Sequence, residues 1–434
     1  MVISIAFAGC GRLRYEKGAL SSTGNEDPEP TLPGQTDGEG NVIPTLSRVS
    51  DDELTQDNLI DITLDATTGP TWTINTDIDT GSLSILDSLG NPYPESGGII
   101  DAQVIPQTDS QGINFPDLPQ IARFIAKNIV VEENVTVNVS GPNALMLVAQ
   151  ESITINGTIN VSAGTQSFNK NTEPGPGGFR GGSSVFNAES TKLAEGFGSG
   201  DIACNCHQCT TGGGGSGHSS SGGQGDDQGS GGALYGSKAI ELLIGGSGGG
   251  PGAAGDSGGC TFSRGGGGGG AVQLSTLGTL TVSASGVISA NGAGASSRRF
   301  SDSRGLIGGA GGGAGGRIVL EAKSVVVDGQ LVANGGGGGI ALVEGEDDSN
   351  QAGGINGQHG LVSASPAAGG ESSAAGNTSR GGAGGAGDQA PTTGENLGGG
   401  GGSAGRILFR AVDNPSISGL ISPTGEGFFT QMYE

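Results

Sequence analysis

Residues 271–294 read AVQLSTLGTLTVSASGVISANGAG, and this stretch decides the reading of the fold. Apolar residues alternate through two short segments, a glycine interrupts at Gly286, and a brief third segment ends near a second glycine. The same plan recurs in residues 144–164 (ALMLVAQESITINGTINVSAG), 317–335 (RIVLEAKSVVVDGQLVANG) and 406–425 (RILFRAVDNPSISGLISPTG). The turn glycine is Gly157, Gly286, Gly329 or Gly419. Alternation with a period of two is the mark of a strand that buries one face. In the first copy it runs through Leu145 and Leu147, Ile153 and Ile155, Ile159 and Val161. Val130 to Val139 (VVEENVTVNV) reads as one further rung before that copy.

Short strands joined by small turns suit stacked coils, each covering the apolar face of its neighbour. The expected fold class is therefore all-β, with a parallel β-solenoid or β-helix-like body. A β-sandwich would use the same strands in antiparallel pairs, but repetition of the whole strand-turn-strand unit favours the solenoid.

Copies starting at 144, 271, 317 and 406 are unevenly spaced, so insertions enter at one point of the unit. These are the glycine-rich segments 165–270, 295–316 and 336–405, expected to emerge from one edge of the body. Gly308 to Gly316 (GGAGGGAGG) and Gly381 to Gly387 (GGAGGAG) carry glycine with a period of three. Polyproline II has three residues per turn and no internal hydrogen bonds. Glycine alone lets such chains approach closely enough to bond with one another, so a polyglycine II-like layer is expected. The competing reading is a set of flexible low-complexity linkers.

Composition agrees with a body poor in helix. Glycine contributes 92 of 434 residues, and only 15 of those fall in residues 1–163. Acids outnumber bases 43 to 19, for a formal charge of −24. That balance disfavours a nucleic-acid partner, which needs a basic face. No apolar run approaches the roughly 20 residues of a membrane-spanning helix. Residues 11–50, as in Asn25-Glu-Asp-Pro-Glu-Pro30, read as an acidic flexible tether. Residues 51–120 read as a small acidic β region, with alternation at Trp72-Thr-Ile74 and Leu83-Ser-Ile85, and residues 121–434 as the repeat body with its insertions.

The segment 309–335, with 398–425 and the second half of the pattern in 271–294, resembles the glycine-rich repeat surface proteins of Gram-negative bacteria. The resemblance implies a secreted or cell-surface location and supplies no catalytic residues. At the other end, Met1 to Cys10 (MVISIAFAGC) resembles a lipoprotein lipobox, in which small residues precede a cysteine whose thiol accepts a diacylglycerol. Residues 1–10 are thus expected to be a signal-like segment, with Cys10 the lipidation site and the membrane a partner through that anchor. The segment is short, has no basic start, and puts Phe7 where that family has an aliphatic residue.

Four further cysteines, Cys204, Cys206, Cys209 and Cys260, permit two disulfides in an oxidising compartment, with three pairings open. With His207 the first three could offer a metal site, but C-x-C-H-x-C is not a zinc spacing; no metal and no cofactor are expected.

Catalytic motifs fare poorly. Gly255-Asp-Ser257-Gly-Gly259 spells a protease nucleophile sequence, yet none of His207, His218 and His359 stands in the context of a general base. Gly245-Gly-Ser247-Gly-Gly249 fits G-x-S-x-G without the helix that motif requires. Asp226-Asp227 and Glu346-Asp347-Asp348 read as solvated loop acids, and Arg298-Arg299 with Arg304 as a basic surface loop.

The expectation is a non-enzymatic, extracytoplasmic, surface-anchored structural or adhesive protein: an adhesin, coat or fibre component at the outer membrane. The alternatives are a carbohydrate-binding or carbohydrate-cleaving β-helix and a self-polymerising filament subunit. Partners would accordingly be a glycan or a second copy of the chain.

Overall fold

The computed structural model describes residues 35–36, 40, 42–56, 59–77, 83–93, 100–108, 113–164, 172–183, 194–201, 211–226, 229–236, 242–252, 263–296, 308–340, 356–371 and 379–433. An antiparallel ribbon of β1 (Gln35–Thr36) and β2 (Val42–Ile43) comes first. One turn of helix, α1 (Asp51–Leu54), follows, with the Glu53 carboxylate accepting from the Ser50 backbone N–H at 2.9 Å. Next come β3 (Ile62–Leu64), β4 (Thr71–Asn75), β5 (Ser84–Leu86) and β6 (Asp101–Ile105). Two long strands, β7 (Ile121–Val131) and β9 (Ala144–Ile155), flank β8 (Thr136–Ser140), and β10 (Thr158–Asn160) ends this part.

The later units each supply three strands. They are β11 (Ala271–Thr276), β12 (Thr279–Val282) and β13 (Val287–Ser289), then β14 (Arg317–Ala322), β15 (Ser324–Val327) and β16 (Gln330–Val332). The last unit gives β17 (Arg406–Ala411), β18 (Ser416–Ile417) and β19 (Leu420–Ser422), and β20 (Phe428–Met432) returns to pair with β17. The four copies read from the sequence begin at the first residues of β9, β11, β14 and β17.

Equivalent residues of successive units lie side by side in parallel register. Leu145, Val272, Ile318 and Ile407 make one such row, and Ile159, Ile288, Leu331 and Ile421 another. The turn glycines stack as well. A Cβ on Gly329 would lie 2.2 Å from the Gly286 carbonyl oxygen, and one on Gly419 would lie 1.9 Å from that of Gly329. Only a residue without a side chain lets the turns sit so close.

The solenoid expectation is corrected here. The structure is a mostly parallel fold whose larger sheet curls as a half-barrel, with 36% strand and 2% helix. That sheet has eleven strands and a second has seven, ordered β19-β16-β13-β10-β8-β4-β5. Antiparallel partners, β5 on β4 and β6 on β7, interrupt the parallel pattern near one end. The physical reason lies in the return path. Between β10 and β11, β13 and β14, and β16 and β17, the described chain is glycine-rich and contains no strand. A unit's alternation and turn glycine fix how it pairs with the next unit. They do not oblige the returning chain to form another wall of strand.

That returning chain is a packed array. Along residues 308–316 the N–H groups of Gly309, Gly312 and Gly315 donate to Leu397, Gly400 and Ser403 at 2.8–2.9 Å. Gly311 and Ala314 donate to Gly250 and Ser247 at 2.8 and 3.1 Å, and Gly313 and Gly316 to Ala293 and Ala290 at 2.9 and 2.6 Å. Donors three residues apart therefore address the same neighbouring segment, and each residue of a triplet addresses a different one. Carbonyls of the same stretch accept from Gly213 and Ser216, Gly266 and Gly269, and Gly336 and Gly339. Buried backbone groups are thus paired although no strand is present.

Apolar residues from the facing surfaces of the two sheets form the main core, including Trp72, Ile74, Phe124, Leu147, Ile153, Leu274, Leu320 and Phe409. Each large aliphatic side chain so buried contributes about 1.5–3 kcal/mol. The outer face of the larger sheet is covered too. Leu46, Leu54 and Leu59 pack on Ile121, Ile125, Met146, Val148, Val319 and Leu408. All six residues of β11 and of β14 are consequently buried.

Candidate functional site

Strands β10 and β13 pair with Asn160 beside Ser289, and Asn160 also lies beside Asn138 of β8. Past the strand ends the chain continues as Ser162 in one unit and Asn291 in the next, the Ala163 N–H donating to the Asn291 carbonyl at 2.8 Å. Their polar side chains form a ladder across the units. Ser289 Oγ donates to Asn160 Oδ1 at 3.0 Å, and Ser162 Oγ accepts from the Asn291 backbone N–H at 3.0 Å. Asn291 Oδ1 accepts from the Asn334 backbone N–H at 2.7 Å, and Asn334 Oδ1 accepts from Ser422 Oγ at 2.6 Å.

Beside this ladder lies a groove of about 220 Å³, lined by Asn160, Ser162, Ser289, Asn291, His359 and Val362 among others. The segment 359–363 forms its rim and is pinned by Asn334 Nδ2, which donates to the carbonyls of Leu361 and Ser363 at 2.7 and 2.6 Å. His359 Nδ1 accepts from the Gly294 N–H at 3.2 Å, which places the ring proton on Nε2. Desolvation lowers the His359 pKa, so the ring is neutral at pH 7. A Cβ on Gly164 would meet the His359 ring at 2.8 Å, so that glycine, with φ +69°, gives the imidazole its seat. No lining residue carries a formal charge.

Two buried polar clusters hold the framework. Glu321, with no exposed surface, accepts from the Ser47 N–H at 3.0 Å, Ser275 Oγ at 2.9 Å, Tyr433 Oη at 2.8 Å and Arg410 at 3.3 Å. The second cluster roots the glycine array. The His218 ring stacks on Tyr235, with centroids 4.6 Å apart, and its Nδ1–H donates to the Gly315 carbonyl at 2.7 Å. Complete burial, with the Arg406 guanidinium nearby, pushes the His218 pKa down to about 3. Arg317 donates to the Leu242 carbonyl at 2.9 Å and Arg406 to that of Tyr235 at 3.2 Å. Burial and the neighbouring Arg406 lower the Arg317 pKa to about 9.

Cys10, Cys204, Cys206, Cys209, Cys260, His207 and Ser257 lie outside the described residues, as do Asp227, Arg298, Arg299, Arg304 and Glu346 to Asp348. Ser247 is buried in the glycine array, its Oγ accepting from the Gly198 N–H at 3.0 Å, and no α-helix follows it among the described residues. His218 and His359 are separated into different clusters. Among the described residues no group of three His, Cys, Asp or Glu side chains could hold a metal ion. Sequence reasoning missed the Asn/Ser ladder. Its signal was the recurrence of polar residues at equal offsets, Asn160 with Ser289 and Ser422, and Ser162 with Asn291 and Asn334.

No protein family, curated protein or solved structure matches this chain.

Proposed function

We propose that this chain is a surface-anchored structural or adhesive protein working outside the cytoplasm, at the outer membrane of a Gram-negative bacterium. One observation carries the reading: the glycine segment 308–316 is hydrogen-bonded on all sides to other segments, in register with the strand units. Such an array puts a large amount of chain into a rigid slab with few side chains, which suits a protein that spaces and presents a surface. The lipobox-like ending at Cys10 supports attachment through a lipid, and the acidic sequence between it and β1 supports a spacer between anchor and body.

The test is metabolic labelling of expressing cells with a clickable fatty acid, followed by protease shaving of intact cells and a count of cells retained on glycan-coated surfaces. Label lost in Cys10→Ala, together with a shaved body and lowered retention, supports the proposal. Label retained in Cys10→Ala removes the anchor, and a body that resists shaving on intact cells but not on lysed ones overturns the surface location.

A further inference from the structure

We propose that the groove beside the Asn/Ser ladder binds one neutral sugar ring, as a single unit or as part of a polysaccharide. This deepens the adhesive reading by naming its ligand class, although binding in solution stands or falls independently of cell-surface location.

Three features of the groove point to that chemistry. Asn291 is only 3% exposed and lines the groove, and its Oδ1 is committed to the Asn334 N–H. No hydrogen bond to a described residue engages its Nδ2, so the amide group is left to donate to a ligand in the groove that Asn291 lines. His359 supplies a further N–H from Nε2 on the rim, its tautomer fixed by Gly294.

Acceptors stand beside these donors. The hydroxyls of Ser162 and Ser289, 3.2 Å apart, keep lone pairs toward the cavity they line. Val362, 49% exposed, adds an apolar edge against which the C–H face of a ring can lie. The combination of neutral donors, neutral acceptors and one apolar edge matches a polyhydroxylated ring. It does not match an anion, which the −24 charge of the chain repels as well. At about 220 Å³ the groove is smaller than a drug-sized pocket, and one ring is the natural occupant.

The chain has three histidines, so imidazole NMR resolves the site directly. Full-length protein carrying Cys10→Ala, for solubility, is titrated with glucose, galactose, mannose, N-acetylglucosamine and their short oligomers. The expected result is a saturable shift of the His359 signals by at least one sugar, with the His218 signals unmoved. Asn291→Asp keeps the Oδ1 acceptor for Asn334 but removes both free protons, and should weaken binding about tenfold or more. Its thermal midpoint, compared with the parent, separates lost binding from lost folding. His359→Gln should weaken binding as well. No His359 shift with any sugar at about 50 mM, well above a ~1 mM dissociation constant, overturns the proposal. So does a sugar affinity, read by calorimetric titration, that is undiminished in both variants.

Discussion

The carboxylate of Glu321 accepts the backbone N–H of Ser47 at 3.0 Å, across 274 residues of sequence. It also receives Tyr433 Oη at 2.8 Å, so one side chain near the end of β14 ties down the segment before α1 and the residue after β20. Glu321→Ala leaves Arg410, Tyr433 and Ser47 facing an empty, desolvated space. Removing one partner from such a network costs about 3–5 kcal/mol. The midpoint of urea unfolding should fall accordingly, with the isosteric Glu321→Gln between the two. A Glu321→Ala midpoint equal to the parent's would show that the network does not hold these two segments.

Glycines of the array are distinguishable from glycines of ordinary turns. A Cβ on Gly313 would sit 2.0 Å from the Gly267 carbonyl oxygen, whereas one on Gly90 meets nothing within 4 Å. Gly90→Ala therefore costs only its positive φ of +84°, about 1 kcal/mol. Gly313→Ala must push a whole segment aside and should cost more than the ~3 kcal/mol typical of overpacking. Equal losses in calorimetric midpoint for the two variants would refute the close packing.

Strand starts were legible because alternation and a turn glycine act locally: Ala271 and Gly286 announce β11 and the turn before β13 within one unit. The route by which a unit returns was not, because a glycine run has no apolar face to say which neighbour it will meet. Burial of both faces of β14 was hidden for a related reason. Glu321 alternates with Leu320 as a solvent-facing residue would, yet Ser47 and Tyr433 bond to it, and Leu46, Leu54 and Leu59 cover that face, from far away in the chain. The groove needed the same long-range information, since His359 reaches Gly294 across 65 residues. Asn291 and Asn334 each precede a glycine, and nothing local distinguishes them from ordinary turn residues.

Hydrogen exchange should report the array as core rather than loop. Gly266, Gly311 and Gly313 donate at 2.8–2.9 Å and all three are buried. Peptides covering 263–270 and 308–316 should hold their amide protons as long as those covering β14, because exchange requires opening of the whole assembly. Exchange of these peptides within seconds, while β14 stays protected, would separate the array from the core.

Acid sensitivity follows from His218. Its pKa is about 3 in the folded protein against 6.5 for the free side chain. Below pH 6.5 the unfolded chain takes up a proton that the folded chain refuses, so stability is full above 6.5 and lost progressively as pH falls toward 3. The slope from this one group approaches about 1.4 kcal/mol per pH unit. His359, also lowered, adds to it in the same direction. His218→Phe keeps a ring against Tyr235 but cannot titrate, and it leaves the Gly315 carbonyl without its donor. That variant should be weaker than the parent at pH 7, yet lose less stability between about pH 6.5 and 4.5. Urea midpoints at several pH values decide the matter, and parallel pH profiles for parent and variant would mean that His218 is not the acid-sensitive group.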